Sequence, residues 1–182
     1  MNEIRIHGRG GQGAVVCAQI LANTLFKEGF CVQAFPSFGM ERRGAPVSAF
    51  VRSDNKPIRL RSEVYEPDMI IVLDPSLFEA IEPTSGLKPG GVVLINSDRP
   101  SAKWSLGEGF AVHTVNASQI AVQNHLGTAT MPIVNTAIAG AFAAITGMAK
   151  IDSVASAIQE IVPSRIKENV NAARQAYYAV KV

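Results

Sequence analysis

The sequence predicts an α/β fold: a three-layer α/β/α single domain over 1–182, with a mainly parallel sheet, antiparallel hairpin strands and a helical C-terminus. Three observations predict it. Short strand-like runs (EIRIH at 3–7, MIIVL at 69–73, VVLIN at 92–96) alternate with longer stretches of helical periodicity. MIIVL is apolar throughout and VVLIN is apolar up to its closing Asn96, as in parallel strands covered on both faces. Beyond residue 117 only helical periods remain. With 182 residues, 47% of them apolar and 18% charged, the chain can bury about 70% of the surface it exposes when unfolded.

The elements follow in order. EIRIH alternates apolar and polar residues and stops at a glycine cluster, which predicts a first strand. Ala14, Ala18, Leu21 and Leu25 recur at helical spacing, and Gly29 ends that helix. Residues 30–35, FCVQAF, predict a second strand cut by Pro36, so the opening forms a βαβ unit. PVSAFVRS at 46–53, a turn at Asp54–Pro57 and IRLRS at 58–62 predict a hairpin. MIIVL ends at Asp74-Pro75-Ser76, where Asp74 or Ser76 can cap a helix running through Glu82. Strands are expected at 92–96 and 110–115, with an exposed loop around Trp104 between them. Helices are expected near 117–126, 132–147, 152–161 and 164–179.

Composition excludes several functions. A net charge of +2 is too small to argue for nucleic acid or a membrane surface as partner. The apolar run Ile133–Met148 has roughly 16 residues against the ~20 that span a bilayer, and Asn135 and Thr136 interrupt it, so a buried core helix is expected. No secretory leader precedes the first strand, so a cytoplasmic location is expected. Cys17 and Cys31 are the two cysteines. An iron–sulfur cluster draws on four thiolates and a structural zinc on four close ligands. The chain is therefore expected to bind neither alone.

Gly8, Arg9, Gly10, Gly11, Gln12 and Gly13 fit G-x-G-x-x-G between a strand and a helix. Such a turn brings backbone N–H groups and a helix N-terminus up to an anion. A dinucleotide site also needs an acidic residue at the end of the second strand, and FCVQAFPSF offers none. Two accounts stay open: binding of a phosphate-bearing group, or glycines that only permit close helix–strand packing. In FPSFGMERRGAP (35–46) two prolines and two glycines fix a path that carries aromatics and the pair Arg42-Arg43. Those arginines suit a carboxylate, a phosphate or a partner subunit; a surface ion pair with Glu41 is the alternative.

GRGGQG, QAFPSFGMERRGAPVSAFVR and IRLRSEVYEPDMIIVLDPSL together resemble the gamma subunit of 2-oxoacid:ferredoxin oxidoreductases, pyruvate/2-oxoisovalerate type, over residues 4–147. VNTAIAGA at 134–141 resembles a later segment of that family. The resemblance implies a multi-subunit enzyme that decarboxylates a 2-oxoacid oxidatively to acyl-CoA and CO2. It implies thiamine diphosphate, Mg and [4Fe-4S] clusters on other chains, coenzyme A as acyl acceptor and ferredoxin as electron acceptor. Thiamine-binding and ferredoxin-like subunits become the expected partners, and contacts between copies of this chain stay open. The equivalent domain is associated with assembly and with closing over coenzyme A. The resemblance makes Gly10–Gly13 and Arg42-Arg43 the distinctive positions and no residue catalytic.

His7, His113 and His125 lie on different elements without ligand spacing. Arg59 and Arg61 share one face of their predicted strand, as a solvated edge or an anion-facing surface. Asp74 is a helix cap or a general base. Two further functional readings stand beside the subunit: a self-contained dinucleotide-binding protein, and a scaffold that touches no ligand.

Overall fold

The computed structural model describes residues 1–37, 44–107 and 109–180. Six strands form one sheet: β1 (Asn2–Arg9), β2 (Cys31–Pro36), β3 (Pro46–Asp54), β4 (Met69–Val72), β5 (Val92–Asn96) and β6 (Ala111–Val115). Their order is β2-β3-β1-β4-β5-β6. β1, β4, β5 and β6 are parallel neighbours, whereas β3 runs antiparallel to both β1 and β2. Five α-helices accompany the sheet among the described residues: α1 (Ala14–Lys27), α2 (Ala117–Gln123), α3 (Asn135–Thr146), α4 (Ile151–Ile161) and α5 (Ile166–Ala179).

Side-chain alternation divides the sheet into two unlike faces. Ile4 and Ile6 of β1, Ala49 and Val51 of β3 and Met69 and Ile71 of β4 point toward the helices, in one apolar cluster with α1 to α5. α3 runs through that layer with every residue from Asn135 to Ala143 buried, so it is the core helix expected of the 133–148 run. No described helix is long and apolar enough to cross a membrane. On the opposite face Ile70, Val72, Val93 and Ile95 pack beneath Leu77, Leu87 and Trp104. The cover there comes from 3-10 turns at Pro75–Glu79 and Ser101–Lys103 and from irregular chain, not from α-helices.

Several expectations need correction. The helix through Glu82 is a 3-10 turn that stops at Glu79, and the helix from 117 ends at Gln123. Trp104 is half-buried against Phe78, with ring centroids 5.0 Å apart, rather than exposed. β1 and β2 are not neighbours, because β3 inserts between them. The hairpin of 46–53 with 58–62 does not form. Both edges of β3 are already paired, to β1 and to β2, so no ladder is left for 58–62. β3 wins that place because Ala49 to Ser53 are buried on both faces, a gain that Arg59 and Arg61 would forfeit.

Candidate functional site

Parallel strands deliver their carboxyl ends to one edge of the sheet, and ligands in such folds bind there. β1 ends at Arg9, β4 leads into Leu73 and Asp74, and β5 ends at Asn96. Above them the Gly10–Gly13 turn enters α1, and residues 130–134 lead into α3. Between these walls lies a cleft of about 910 Å³. Its far rim is apolar and open, with Met131 59% and Ile133 47% exposed.

Asp74 organises the near wall. Its Oδ2 accepts from Arg9 Nε at 3.1 Å and from Gln12 Nε2 at 2.8 Å. Its Oδ1 accepts from the Ser76 amide at 3.0 Å and the Ser76 hydroxyl at 2.6 Å, so the expected cap is real. Burial alone would raise the Asp74 carboxyl, but hydrogen bonds from Ser76 and Gln12 and the Arg9 charge hold it below its ordinary value. All of its strong acceptor positions are engaged, so a role as clamp replaces that of general base. Arg9 in turn donates to Ser76 Oγ (2.8 Å) and to the Gly44 carbonyl (3.1 Å). The Gln12 side chain closes the loop by accepting from the Arg9 amide at 2.8 Å.

At the mouth of α1 donors are left over. The first N–H groups of a helix have no intrahelical partner, and no side chain caps α1. Gly13 holds φ +81°, the left-handed region where a Cβ is strained. A Cβ there would also meet Asn135 Nδ2 at 2.9 Å. Asn135 is 6% exposed. Its Oδ1 accepts from the Thr136 amide at 2.9 Å, while its Nδ2 lies on the cleft and finds no acceptor among the described residues. Helix N–H groups, their partial positive charge and one amide donor therefore converge on one spot that suits an anion.

Of the residues singled out by sequence, Arg9 and Gly10 to Gly13 line the cleft, although the Arg9 guanidinium is bound by its neighbours. Gly8 lies below the cleft, where a Cβ would press Ala14 Cβ and Leu73 Cδ1 at 3.3 Å; its part is close packing. Arg42 and Arg43 lie outside the described residues. Gly44, which follows Arg43 in the chain, lines the cleft. It is fixed there by Gly44 N donating to the Gly10 carbonyl (3.1 Å) and Gly10 N donating to the Ala45 carbonyl (2.9 Å). Sequence reasoning missed Asn135, Ser118 and the Met131–Ile133 rim. Asn135 did leave a signal, as a polar residue at the head of an otherwise apolar helix.

The remaining candidates are elsewhere. His7 sits on the opposite face of the sheet, between Arg5 Nε (3.0 Å) and Ser48 Oγ (3.2 Å). The His125 carbonyl accepts from Arg165. Burial pushes the Cys17 thiol up to about 12, and Cys31 stands apart at the start of β2. Among the described residues no group of three or more His, Cys, Asp and Glu side chains could hold a metal ion.

A family model described as pyruvate ferredoxin/flavodoxin oxidoreductase matches residues 3–179. The chain is 49% identical over 188 residues to the pyruvate/ketoisovalerate oxidoreductases common subunit gamma of Pyrococcus furiosus, covering 100% of this chain and 98% of that one. It is 50% identical over 182 residues to the pyruvate synthase subunit PorC of Methanothermobacter marburgensis, with the same coverage, 100% and 98%. The crystal structure of the pyruvate oxidoreductase subunit PORC of Thermotoga maritima superposes with a TM-score of 0.82 at 33% identity, over 99% of this chain and 97% of that one.

Proposed function

Because the chain belongs to the pyruvate ferredoxin/flavodoxin oxidoreductase family, we propose that it is the gamma subunit of a multi-subunit, pyruvate-type 2-oxoacid:ferredoxin oxidoreductase of the cytoplasm. The complex converts a 2-oxoacid to acyl-CoA and CO2 and reduces ferredoxin. This chain contributes assembly and a coenzyme A site, as one domain. The observation that carries the site is the meeting, on an open cleft, of the α1 N-terminus and the Asn135 amide, neither of which has a side-chain cap or acceptor among the described residues.

The residues fit coenzyme A. Its phosphates suit the N–H groups at the start of α1 and the Asn135 amide, and its less polar parts suit the Met131–Ile133 rim. Asp74 holds Arg9 and Gln12 so that the turn keeps its shape when charge arrives. Arg42 and Arg43, which precede Gly44 in the chain, are the cations the sequence offers for the phosphates. Coenzyme A supplies the thiol that accepts the acyl group. The chain's own donor set does not fit an iron–sulfur cluster: two cysteines, one deeply buried on α1 and one on β2, cannot replace four thiolates. The clusters are therefore assigned to companion subunits, and the family resemblance implies that thiamine diphosphate and magnesium sit there as well.

A self-contained dinucleotide protein is the weaker reading, for a topological reason. The ribose-binding acid sits at the carboxyl end of the strand next to β1. On one side that neighbour is antiparallel β3, which brings Pro46 opposite Arg9. On the other it is β4, whose Asp74 already takes four hydrogen bonds.

Calorimetric titration of the purified chain tests the site. Coenzyme A should bind saturably and NADH should not. Asn135→Ala should weaken coenzyme A about 10-fold or more, since a hydrogen bond to a charged group contributes about 1.5–3 kcal/mol. The chain alone should not reduce a viologen with a 2-oxoacid. The site reading falls if coenzyme A does not bind and if Asn135→Ala and the Arg42→Ala/Arg43→Ala pair leave its KM in the reconstituted complex unchanged.

A further inference from the structure

The cleft has a second polar corner, which the anion site at α1 does not use. It lies at the carboxyl end of β5, where Asn96 and Ser118 meet. Asn96 is 5% exposed, and both polar atoms of its side chain are committed. Its Nδ2 donates to the Leu73 carbonyl at 2.8 Å and to Ser118 Oγ at 2.9 Å. Its Oδ1 accepts from the Ser118 amide at 3.1 Å. A buried asparagine thus fixes Ser118 by backbone and side chain together. Because Ser118 Oγ already accepts from Asn96, its own hydrogen is turned away from that amide, and it finds no acceptor among the described residues. Ser118 therefore sets an oriented hydroxyl donor on the cleft wall.

This corner differs from the α1 end in what it can hold. Asn96 takes the Ser118 N–H, and the Asn116 side chain takes that of Gln119 at 2.9 Å, so donors that begin α2 are spent. Arg9, the one cation among the described residues that line the cleft, stands at the end of β1 and is held by Asp74. A second phosphate at β5 would meet a single hydroxyl and no positive charge. A neutral amide carbonyl needs only that one donor. No aromatic side chain lines the cleft among the described residues, so no ring is offered for a base to stack on. Leu73, Pro75 and Pro132 give it apolar wall instead, which suits a saturated chain. In the sheet β4 separates β1 from β5, so the two sets of donors stand roughly 10 Å apart, two strand spacings.

We propose that the pantetheine arm of coenzyme A runs from the α1 anion site across the carboxyl ends of β4 and β5, and that Ser118 reads it by donating to an amide carbonyl of the arm. Ser118 is then a specificity-determining residue, and Asn96 is the residue that positions it. Beyond its diphosphate the arm is a mostly saturated chain interrupted by amides. That sequence of groups matches an anion site followed by apolar wall and one neutral donor. The thiol end lies on the β5 side of the cleft, away from antiparallel β3. This course rests on the coenzyme A reading and goes beyond it, because a diphosphate at α1 leaves open which end of the molecule lies over β5.

The test is calorimetric titration of the purified chain with three probes: coenzyme A, phosphopantetheine and ADP. Ser118→Ala should weaken coenzyme A and phosphopantetheine at least about 3-fold, the scale of a hydrogen bond between neutral groups, and should leave ADP unchanged. Asn135→Ala should weaken all three. In the reconstituted complex the same pattern should appear in the KM for coenzyme A and in the inhibition constant of ADP. ADP guards against a trivial cause, since a site merely deformed by the substitution at Ser118 would lose ADP as well. Equal weakening of ADP and coenzyme A by Ser118→Ala overturns the proposal. So does a Ser118→Ala chain with wild-type affinity and KM for coenzyme A when Asn135→Ala has lost both; the coenzyme A reading then stands without this course for the arm. If the wild-type chain binds none of the probes and neither substitution moves the KM, the coenzyme A reading falls, and the course of the arm with it.

Discussion

At the scale of single residues, His7 and Asp74 show how far one sheet can push two titratable groups. Both lie near the carboxyl ends of central strands, on β1 and just past β4. Asp74 sits among donors, whereas His7 is 6% exposed and takes an Arg5 N–H at Nε2, which leaves Nδ1 to donate to Ser48. Burial first, and the Arg5 charge second, lower His7 to about 4 despite the opposing Pro83 carbonyl. The unfolded imidazole titrates near 6.5, so between these values the unfolded chain binds more protons than the folded one. Stability from this group is therefore complete above about pH 6.5 and is lost as the pH falls toward 4. By pH 5 the loss should be about 2 kcal/mol, at roughly 1.4 kcal/mol per pH unit. Denaturant midpoints of the wild type and His7→Gln check this: the wild type should lose that much more between pH 7 and 5. Parallel pH curves would refute the assignment. None of this was legible in the sequence, where His7 was one histidine in an alternating strand. Its environment depends on Arg5 and Ser48, and strand β3 brings the latter from a distant part of the chain.

At the scale of elements, local pattern identified most strands and helices but not their neighbours. MIIVL and VVLIN had to be buried on both faces, and β4 and β5 are. The segment IRLRS carries as good an alternation as β1, yet forms no ladder, because pairing is a competition for edges that periodicity does not report. The same limit hid Asn135 as a cleft residue: its partner is Gly13, far away in sequence. The small residues Ala137, Gly140, Ala141 and Ala144 do point to close packing against a sheet or a partner, but they do not say that the neighbour is α5. A Cβ on Gly140 would lie 1.9 Å from the Ala173 carbonyl of α5, a backbone atom that cannot swing away. Gly140→Ala removes a helix-weakening glycine, a gain of up to about 1 kcal/mol by propensity alone. The forced separation of α3 from α5 should outweigh that, at about 1–3 kcal/mol or more for overpacking. The expected outcome is a lower melting temperature. A stabilised variant would mean that α3 and α5 do not approach as described.

At the scale of the whole molecule, the two faces of the sheet divide the labour. The helical face holds the large apolar cluster, while the other has a small one under irregular chain. This asymmetry makes α5 critical although it is the last element and largely polar outside. Its Ala172, Ala173 and Ala176 are fully buried, and Asn169 accepts from the Thr136 hydroxyl at 3.0 Å while donating to the Arg165 carbonyl at 2.9 Å. Without it, one flank of α3 would meet water, and α3 is the helix with no polar face to offer. Domains are stable by only about 5–15 kcal/mol, too little to expose a helix that is apolar on all sides. Ending the chain at Ser164 should therefore abolish the cooperative urea transition and yield a species that binds a hydrophobic dye. Replacing Tyr178, 75% exposed on the same helix, with Ser should shift stability by no more than about 0.5 kcal/mol. A truncated chain that still unfolded in one sharp step would show that the sheet and α1 to α4 suffice, and that the helical C-terminus is an appendage rather than part of the core.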